Sequence, residues 1–277
     1  MSYEKLDQPD ILNIIFHPRQ ENPLPSQDIL DHDFQVDKDI LVGARLHLTN
    51  SEFPNILFFH GNGEVSSDYD EFGAIYNKYG MNFLAVDYRG YGRSSGTPTV
   101  THMIDDAHTI YVETKRLLEQ GGYNGPLYIM GRSLGCSCAI ELAGSYQDEI
   151  AGLIIDSGFS QTLPLLIALG VDIHNVGISE EEGFCNVQKI SRINKPTFIL
   201  HGQFDQIIPL SSAEILQANS PAKNKQFQVI PGADHNTIIE KVGEMYFAAI
   251  KQFMDKVQKI RRKRPYKHHK ERTAKST

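Results

Sequence analysis

The pentapeptide Gly131-Arg132-Ser133-Leu134-Gly135 follows the apolar run Leu127–Met130 and leads into a segment of helical period. A serine hydroxyl is a weak nucleophile until a base can reach it. A sharp strand-to-helix turn solves the problem, because it strains the serine backbone and leaves Oγ exposed. The positions two before and two after the serine must then be small, and both are glycine. Ser133 is therefore expected to act as a nucleophile. The bare pattern is short; its place between a buried strand and a helix gives it weight.

A nucleophile needs a base, and His235 stands in Pro231-Gly232-Ala233-Asp234-His235-Asn236, directly after an apolar run. That is where catalytic loops collect at a sheet edge. The base in turn needs an acid to fix its tautomer and to stabilise the imidazolium. Asp205, in His201-Gly202-Gln203-Phe204-Asp205, follows another apolar run and is the expected partner; Asp156, after Gly152–Ile155, is its rival. Asp234 adjoins His235 and is expected to point elsewhere. A developing oxyanion needs preorganised donors. The backbone N–H of Leu134 is one expected donor. The second is the N–H of Asn62 in His60-Gly61-Asn62-Gly63-Glu64, where glycines permit close backbone approach. His60 is expected to brace this loop, with a catalytic base as the other reading.

These residues must be carried by particular elements. Short apolar runs alternate with longer helical stretches from about 40 to 255, which predicts a mostly parallel sheet with helices on both faces. Expected strands are Leu41–Leu48, Asn55–Phe59, Asn82–Val86, Leu127–Met130, Gly152–Ile155, Thr197–Leu200 and Gln226–Ile230. Expected helices are Ser66–Tyr79 (N-capped by Ser67 or Asp68), Thr101–Gln120, Leu134–Tyr146 and Asn236–Val257. Residues 157–195 break the alternation. They read as a short lid over the sheet edge, or as an ordinary crossover helix with a long loop. Arg89, Arg93, Ser94 and Ser95 sit in a glycine-rich loop that lacks a phosphate-binding pattern and is expected to be structural.

The chain has 277 residues, of which 40% are hydrophobic, so it can bury a large core. No apolar run approaches the ~18 residues of a membrane span, and the first residues do not resemble a signal peptide. Three cysteines exclude a disulfide scaffold and fit a reducing, cytoplasmic setting. Cys136 and Cys138 are expected to be small core residues, and with Cys185 they make no metal-ligand pattern, so neither metal nor cofactor is expected. Charge is uneven. Residues 256–277 hold ten Lys/Arg and one acid, net +9, against −16 for the rest. Residues 258–277 are expected to be a disordered basic tail attached to a domain over 1–257. A sharper reading makes the tail a tether to anionic lipid or nucleic acid, giving a membrane-peripheral or nuclear location.

The motifs FFHGNGE, DYRGYGRSSG, GRSLG, HGQFD and GADHN occur in that order. With them the chain resembles an α/β-hydrolase over residues 35 to 257, and within that superfamily it is similar to the short-capped Bem46-like branch. The resemblance implies an eight-stranded mostly parallel sheet and hydrolysis of an ester, thioester or amide. The chain order Ser133, Asp205, His235 is the one this fold uses. Serine at the elbow argues against the haloalkane-dehalogenase and epoxide-hydrolase branches. The branch includes protein depalmitoylases with an N-terminal cysteine cluster, which this N-terminus lacks. The expected activity is cleavage of a carboxylic ester, in a small-molecule acyl ester or thioester substrate, through an acyl-enzyme. The alternatives are an acyl-thioesterase or depalmitoylase with the same triad, and a non-catalytic binding protein working through its tail.

Overall fold

A computed structural model describes residues 2–21 and 29–263, with side chains of the last helix described as far as Lys259. Of the segment 258–277, expected to be a disordered tail, residues 258–263 continue the last helix, and 264–277 lie outside the described residues. Among those described, eight strands form one sheet. They are β1 (Leu30–Asp37), β2 (Ile40–His47), β3 (Asn55–Phe59), β4 (Asn82–Val86), β5 (Leu127–Arg132), β6 (Gly152–Asp156), β7 (Thr197–Gly202) and β8 (Lys225–Ile230). Their spatial order is β1-β2-β4-β3-β5-β6-β7-β8. The pairs β1–β2 and β2–β4 are antiparallel; every later pair is parallel.

The helices are α1 (Pro9–Ile15), α2 (Asp70–Lys78), α3 (Val100–Gln120), α4 (Cys136–Ser145), α5 (Thr162–Ala168), α6 (Ile173–Val176), α7 (Asn186–Ile190), α8 (Leu210–Asn219), α9 (Ile238–Val242) and α10 (Met245–Lys263). None of the described helices is long and apolar enough to cross a membrane.

The central strands are buried on both faces, which is why they read as unbroken apolar runs. Alternate residues feed two cores. Leu57, Phe59, Leu84, Ile129, Leu153, Ile155 and Ile199 pack with α1, α3, α4, α7 and α8. Ile56, Phe58, Phe83, Met130, Ile154, Phe198 and Leu200 pack with α2 and α10. The three cysteines are free and buried. The Arg89 loop is tied down by a bidentate pair to Asp106 at 2.7 and 2.8 Å and by Ser94 Oγ, which accepts from Gly43 N at 2.9 Å.

Several boundaries differ from the sequence reading. Strand β1 escapes it because only Phe34 is fully buried on this half-solvated edge, so no apolar run exists. The stretch 66–79 is a 3₁₀ turn, Ser66–Tyr69, followed by α2. Neither Ser67 nor Asp68 caps a helix from outside. Asp68 sits inside the turn and its carboxylate accepts from Val65 N at 3.0 Å. The expected closing helix over 236–257 is two helices, broken at Gly243, whose φ of 54° lies in the left-handed half of the map that glycine tolerates. Helices α1 and α8 are additions to the expected elements. Within 157–195, α7 packs between α4 and α8 as a crossover element, while α5 reaches the carboxyl edge of the sheet.

Candidate active site

The carboxyl ends of β3, β5, β7 and β8 converge on one cavity. The turn after β5 is as tight as its glycines suggest. A Cβ on Gly131 would collide with the carbonyl of Gly135, and one on Gly135 would strike Phe59 O and come within 2.7 Å of His60 O. Ser133 itself has φ 52°, a left-handed conformation that costs a non-glycine residue roughly 1 kcal/mol or more. This geometry presents Oγ at the cavity floor.

His235 Nε2 lies 2.9 Å from Ser133 Oγ, and His235 Nδ1 lies 2.7 Å from Asp205 Oδ2. The other Asp205 oxygen accepts from Ile207 N at 3.0 Å and Ile208 N at 2.8 Å. His201 Nε2 approaches Asp205 Oδ2 at 3.3 Å and Ile208 O at 2.8 Å. Burial opposes the Asp205 charge, but hydrogen bonds from His201, His235 and the Ile208 amide outweigh it and hold the carboxyl well below the usual carboxylate range. An ionised carboxylate only accepts hydrogen bonds, so Nδ1 of His235 carries the proton. The lone pair of Nε2 then faces the serine hydroxyl.

The rival acid is engaged elsewhere. Asp156 Oδ2 accepts from Tyr246 Oη at 2.6 Å, and Oδ1 accepts from Ser157 Oγ at 2.9 Å. Asp234 points away from the site, accepting from Asn236 N at 2.9 Å and Thr237 N at 3.0 Å. His60 is fully buried. Its Nδ1 donates to Gly61 O at 2.7 Å, and its Nε2 faces Asp87 at 3.2 Å, so it braces the loop and does not reach the cavity.

Leu134 follows Ser133 in the first helical turn, where backbone N–H groups lack an intrahelical acceptor. Asn62 lines the same cavity as Ser133 and Leu134. Its side chain is fixed, with Oδ1 accepting from His17 N and Tyr91 Oη at 2.8 Å each and Nδ2 donating to His17 Nδ1 at 2.7 Å. Tyr91 lies in the DYRGYGRSSG motif, which assigns it no role, and His17 carries no sequence signal. Neither does Ile15, which brings the N-terminal helix to the cavity wall.

Arg132 and Glu64 are visible within two motifs, but the motifs alone assign them no role. Arg132 Nη1 pairs with Glu64 Oε1, and Nη2 donates to His235 O at 2.8 Å and Asn236 Oδ1 at 2.9 Å. The Ser133 cavity has a volume of about 210 Å³, with apolar walls from Ile15, Leu134, Leu165, Leu169, Phe184 and Ile207. Behind Arg132 and His235 lies a larger cavity of about 500 Å³ between α2 and α9, with Asp156 and Tyr246 in its wall.

Comparison with known proteins agrees with this architecture. Residues 52–169 match the family described as serine aminopeptidase, S33, and residues 164–242 match the α/β-hydrolase fold. The protein bem46 of Schizosaccharomyces pombe is 27% identical over 211 residues, covering 73% of this chain and 67% of that one. The human α/β-hydrolase domain-containing protein 17B is 31% identical over 204 residues, covering 72% and 65%. The chain thus spans about two thirds of the length of these relatives. Among solved structures, the Pyrococcus furiosus esterase Pf2001 aligns with a TM-score of 0.70 at 17% identity, over 86% of this chain and 98% of that one. A soluble variant of the Saccharomyces cerevisiae monoglyceride lipase aligns with a TM-score of 0.65 at 20% identity, over 86% and 97%. The sheet order, the ordered motifs and these relatives agree that the chain belongs to the α/β-hydrolase family and is similar to its Bem46-like branch.

Proposed function

We propose that the protein is a serine hydrolase that cleaves a carboxylic ester through an acyl-enzyme. The observation that carries this reading is the unbroken chain from Ser133 Oγ to His235 to Asp205, with links of 2.9 and 2.7 Å. Ser133 attacks the acyl carbonyl while His235 Nε2 takes its proton. Asp205 holds the ring and stabilises the imidazolium. The amides of Leu134 and Asn62 receive the oxyanion. His235 then protonates the departing alkoxide, and afterwards activates a water that hydrolyses the acyl-serine.

The size and lining of the cavity speak to the acyl group. At about 210 Å³ it is smaller than the roughly 300–1,000 Å³ of sites for drug-sized ligands, which favours short to medium acyl chains. Residues 157–195 act as a small lid in this reading, because Leu165 and Leu169 on and beside α5 form one wall. A thioester with a longer chain is the second reading. Ile167, Leu169 and Ile207 are exposed, so apolar surface continues beyond the cavity. The basic segment 258–277 serves in either case as an electrostatic tether, to be tested by salt-sensitive binding to anionic vesicles or nucleic acid.

Initial rates on p-nitrophenyl esters from acetyl to dodecanoyl test the proposal, with Ser133→Ala as control. We expect an optimum at short to medium length and loss of turnover in the variant. A folded Ser133→Ala protein with most of its activity would overturn the mechanism. A wild-type protein inactive on every ester and thioester, yet binding through its tail, would favour the non-catalytic alternative.

A further inference from the structure

Arg132 fills the variable position immediately before the nucleophile, at the end of β5. An arginine is a demanding choice there, because its side chain is only 15% exposed. A guanidinium withdrawn from water needs acceptors arranged around its planar fork. It finds them on two different segments. Glu64, in the loop after β3, supplies a carboxylate oxygen. The turn after β8 supplies His235 O at 2.8 Å and Asn236 Oδ1 at 2.9 Å. Glu64 extends the connection, since its other oxygen accepts from Gly61 N at 2.6 Å and Tyr69 Oη at 2.7 Å. Space is tight around the pair: a Cβ on Gly61 would lie 2.9 Å from Arg132 Nη1 and 3.0 Å from Glu64 Oε2.

We propose that Arg132 and Glu64 are positioning residues that lock the Asn62 amide and the His235 ring onto Ser133. The inference rests on the triad reading above. Glu64 grips Gly61, the residue before Asn62, while His17 and Tyr91 hold the Asn62 side chain from the opposite side. Arg132 grips the carbonyl of His235 itself. One guanidinium thus joins the nucleophile's own strand to the histidine turn and, through Glu64, to the oxyanion loop. Position is not the pair's only contribution. The two opposite charges cancel next to His235, so the ring experiences mainly Asp205 after β7 and His201 within it, with Asp156, Asp68 and Glu240 lining the larger cavity.

The test is a pH series of kcat and KM on p-nitrophenyl butyrate. It uses the wild type, Arg132→Gln, Glu64→Gln, the double variant and Ser133→Ala. The acidic limb of kcat/KM reports protonation of the general base. Glu64→Gln leaves the Arg132 charge uncompensated, so the limb moves to lower pH by roughly half a unit. Arg132→Gln leaves the Glu64 carboxylate unpaired, so the limb moves to higher pH by a similar amount. The double variant is neutral again and returns the limb to its wild-type position. In each single variant kcat falls about 10- to 100-fold while KM stays within about threefold. The double variant loses less than the product of the singles.

Generic loosening of the fold would not move the limb in opposite directions. Wild-type kcat in both folded single variants overturns the proposal. So does a limb that shifts the same way in both, or a tenfold rise in KM at unchanged kcat, which would make the pair a substrate contact. Should Arg132→Gln fail to fold, Arg132→Lys replaces it. Lysine keeps the charge and loses the fork, so kcat falls with the limb unmoved, and unchanged kcat again refutes the clamp. Turnover surviving in Ser133→Ala would sink the triad reading itself. A dead Ser133→Ala beside unimpaired Arg132 and Glu64 variants would sink only the clamp.

Discussion

Replacing Asp205 with asparagine removes one charge and changes almost nothing in shape. The amide oxygen of the new side chain can still accept from the Ile207 and Ile208 amides, as the Asp205 carboxylate does at 3.0 and 2.8 Å. That choice turns the amide NH₂ toward His235 Nδ1, which now must accept. The neutral ring is driven into the tautomer with its proton on Nε2, aimed at Ser133 Oγ. A base that already holds a proton where it must take one cannot activate the serine, and the imidazolium has lost its counter-charge. The loss expected for such a wrong tautomer is about 10⁴ in kcat, or about 5 kcal/mol of barrier. Steady-state rates on the preferred p-nitrophenyl ester measure it, with circular dichroism confirming the fold. Asp156→Asn is the matched control. Asp156 bonds to Tyr246 and Ser157 and not to His235, so kcat should fall by less than about tenfold. An Asp205→Asn protein within tenfold of wild type, or an Asp156→Asn protein that is dead though folded, would refute this assignment of the acid.

Two further substitutions probe the scaffold. Gly135→Ala drives a Cβ against the carbonyls of Phe59 and His60, which belong to the adjacent strand end and cannot swing away, so urea denaturation should show a loss of about 3 kcal/mol or more, or no soluble protein at all. Glu141, on α4, is held down to about 2 by His108, 3.6 Å away, and Lys189, 2.6 Å away, against its burial. A carboxyl depressed in the folded state stabilises the fold above its unfolded value and loses that contribution as pH falls. Stability should therefore drop between about pH 4.5 and 2, and Glu141→Gln should flatten that part of the curve while leaving kcat unchanged.

The site is more legible in the sequence than the fold boundaries are. Ser133 and Asp205 follow buried parallel strands, which announce themselves as short apolar runs ending in glycine-rich turns, and His235 follows the half-buried edge strand β8, whose end is marked by Pro231-Gly232. The structure brings these three residues together, and it separates Asp156, Asp234 and His60 from them. What stays hidden depends on contacts remote in sequence. His17 reaches Asn62 across 45 positions, and Arg132 reaches Asn236 across 104, so no local pattern marks either. Strand β1 is hidden for the opposite reason, because a half-solvated edge needs few apolar residues. The short helices of 157–195 are hidden too: at seven, four and five residues they are too brief for a 3.6-residue period to show.

The most direct measurement is covalent capture of the nucleophile. The wild-type protein, treated with a fluorophosphonate and digested, is mapped by mass spectrometry beside Ser133→Ala. A single phosphonyl adduct on Ser133, formed faster in wild type than in Asp205→Asn and missing from Ser133→Ala, is the predicted result. A protein left unlabelled, or labelled on another residue in wild type and variant alike, would contradict an acyl-enzyme built on Ser133.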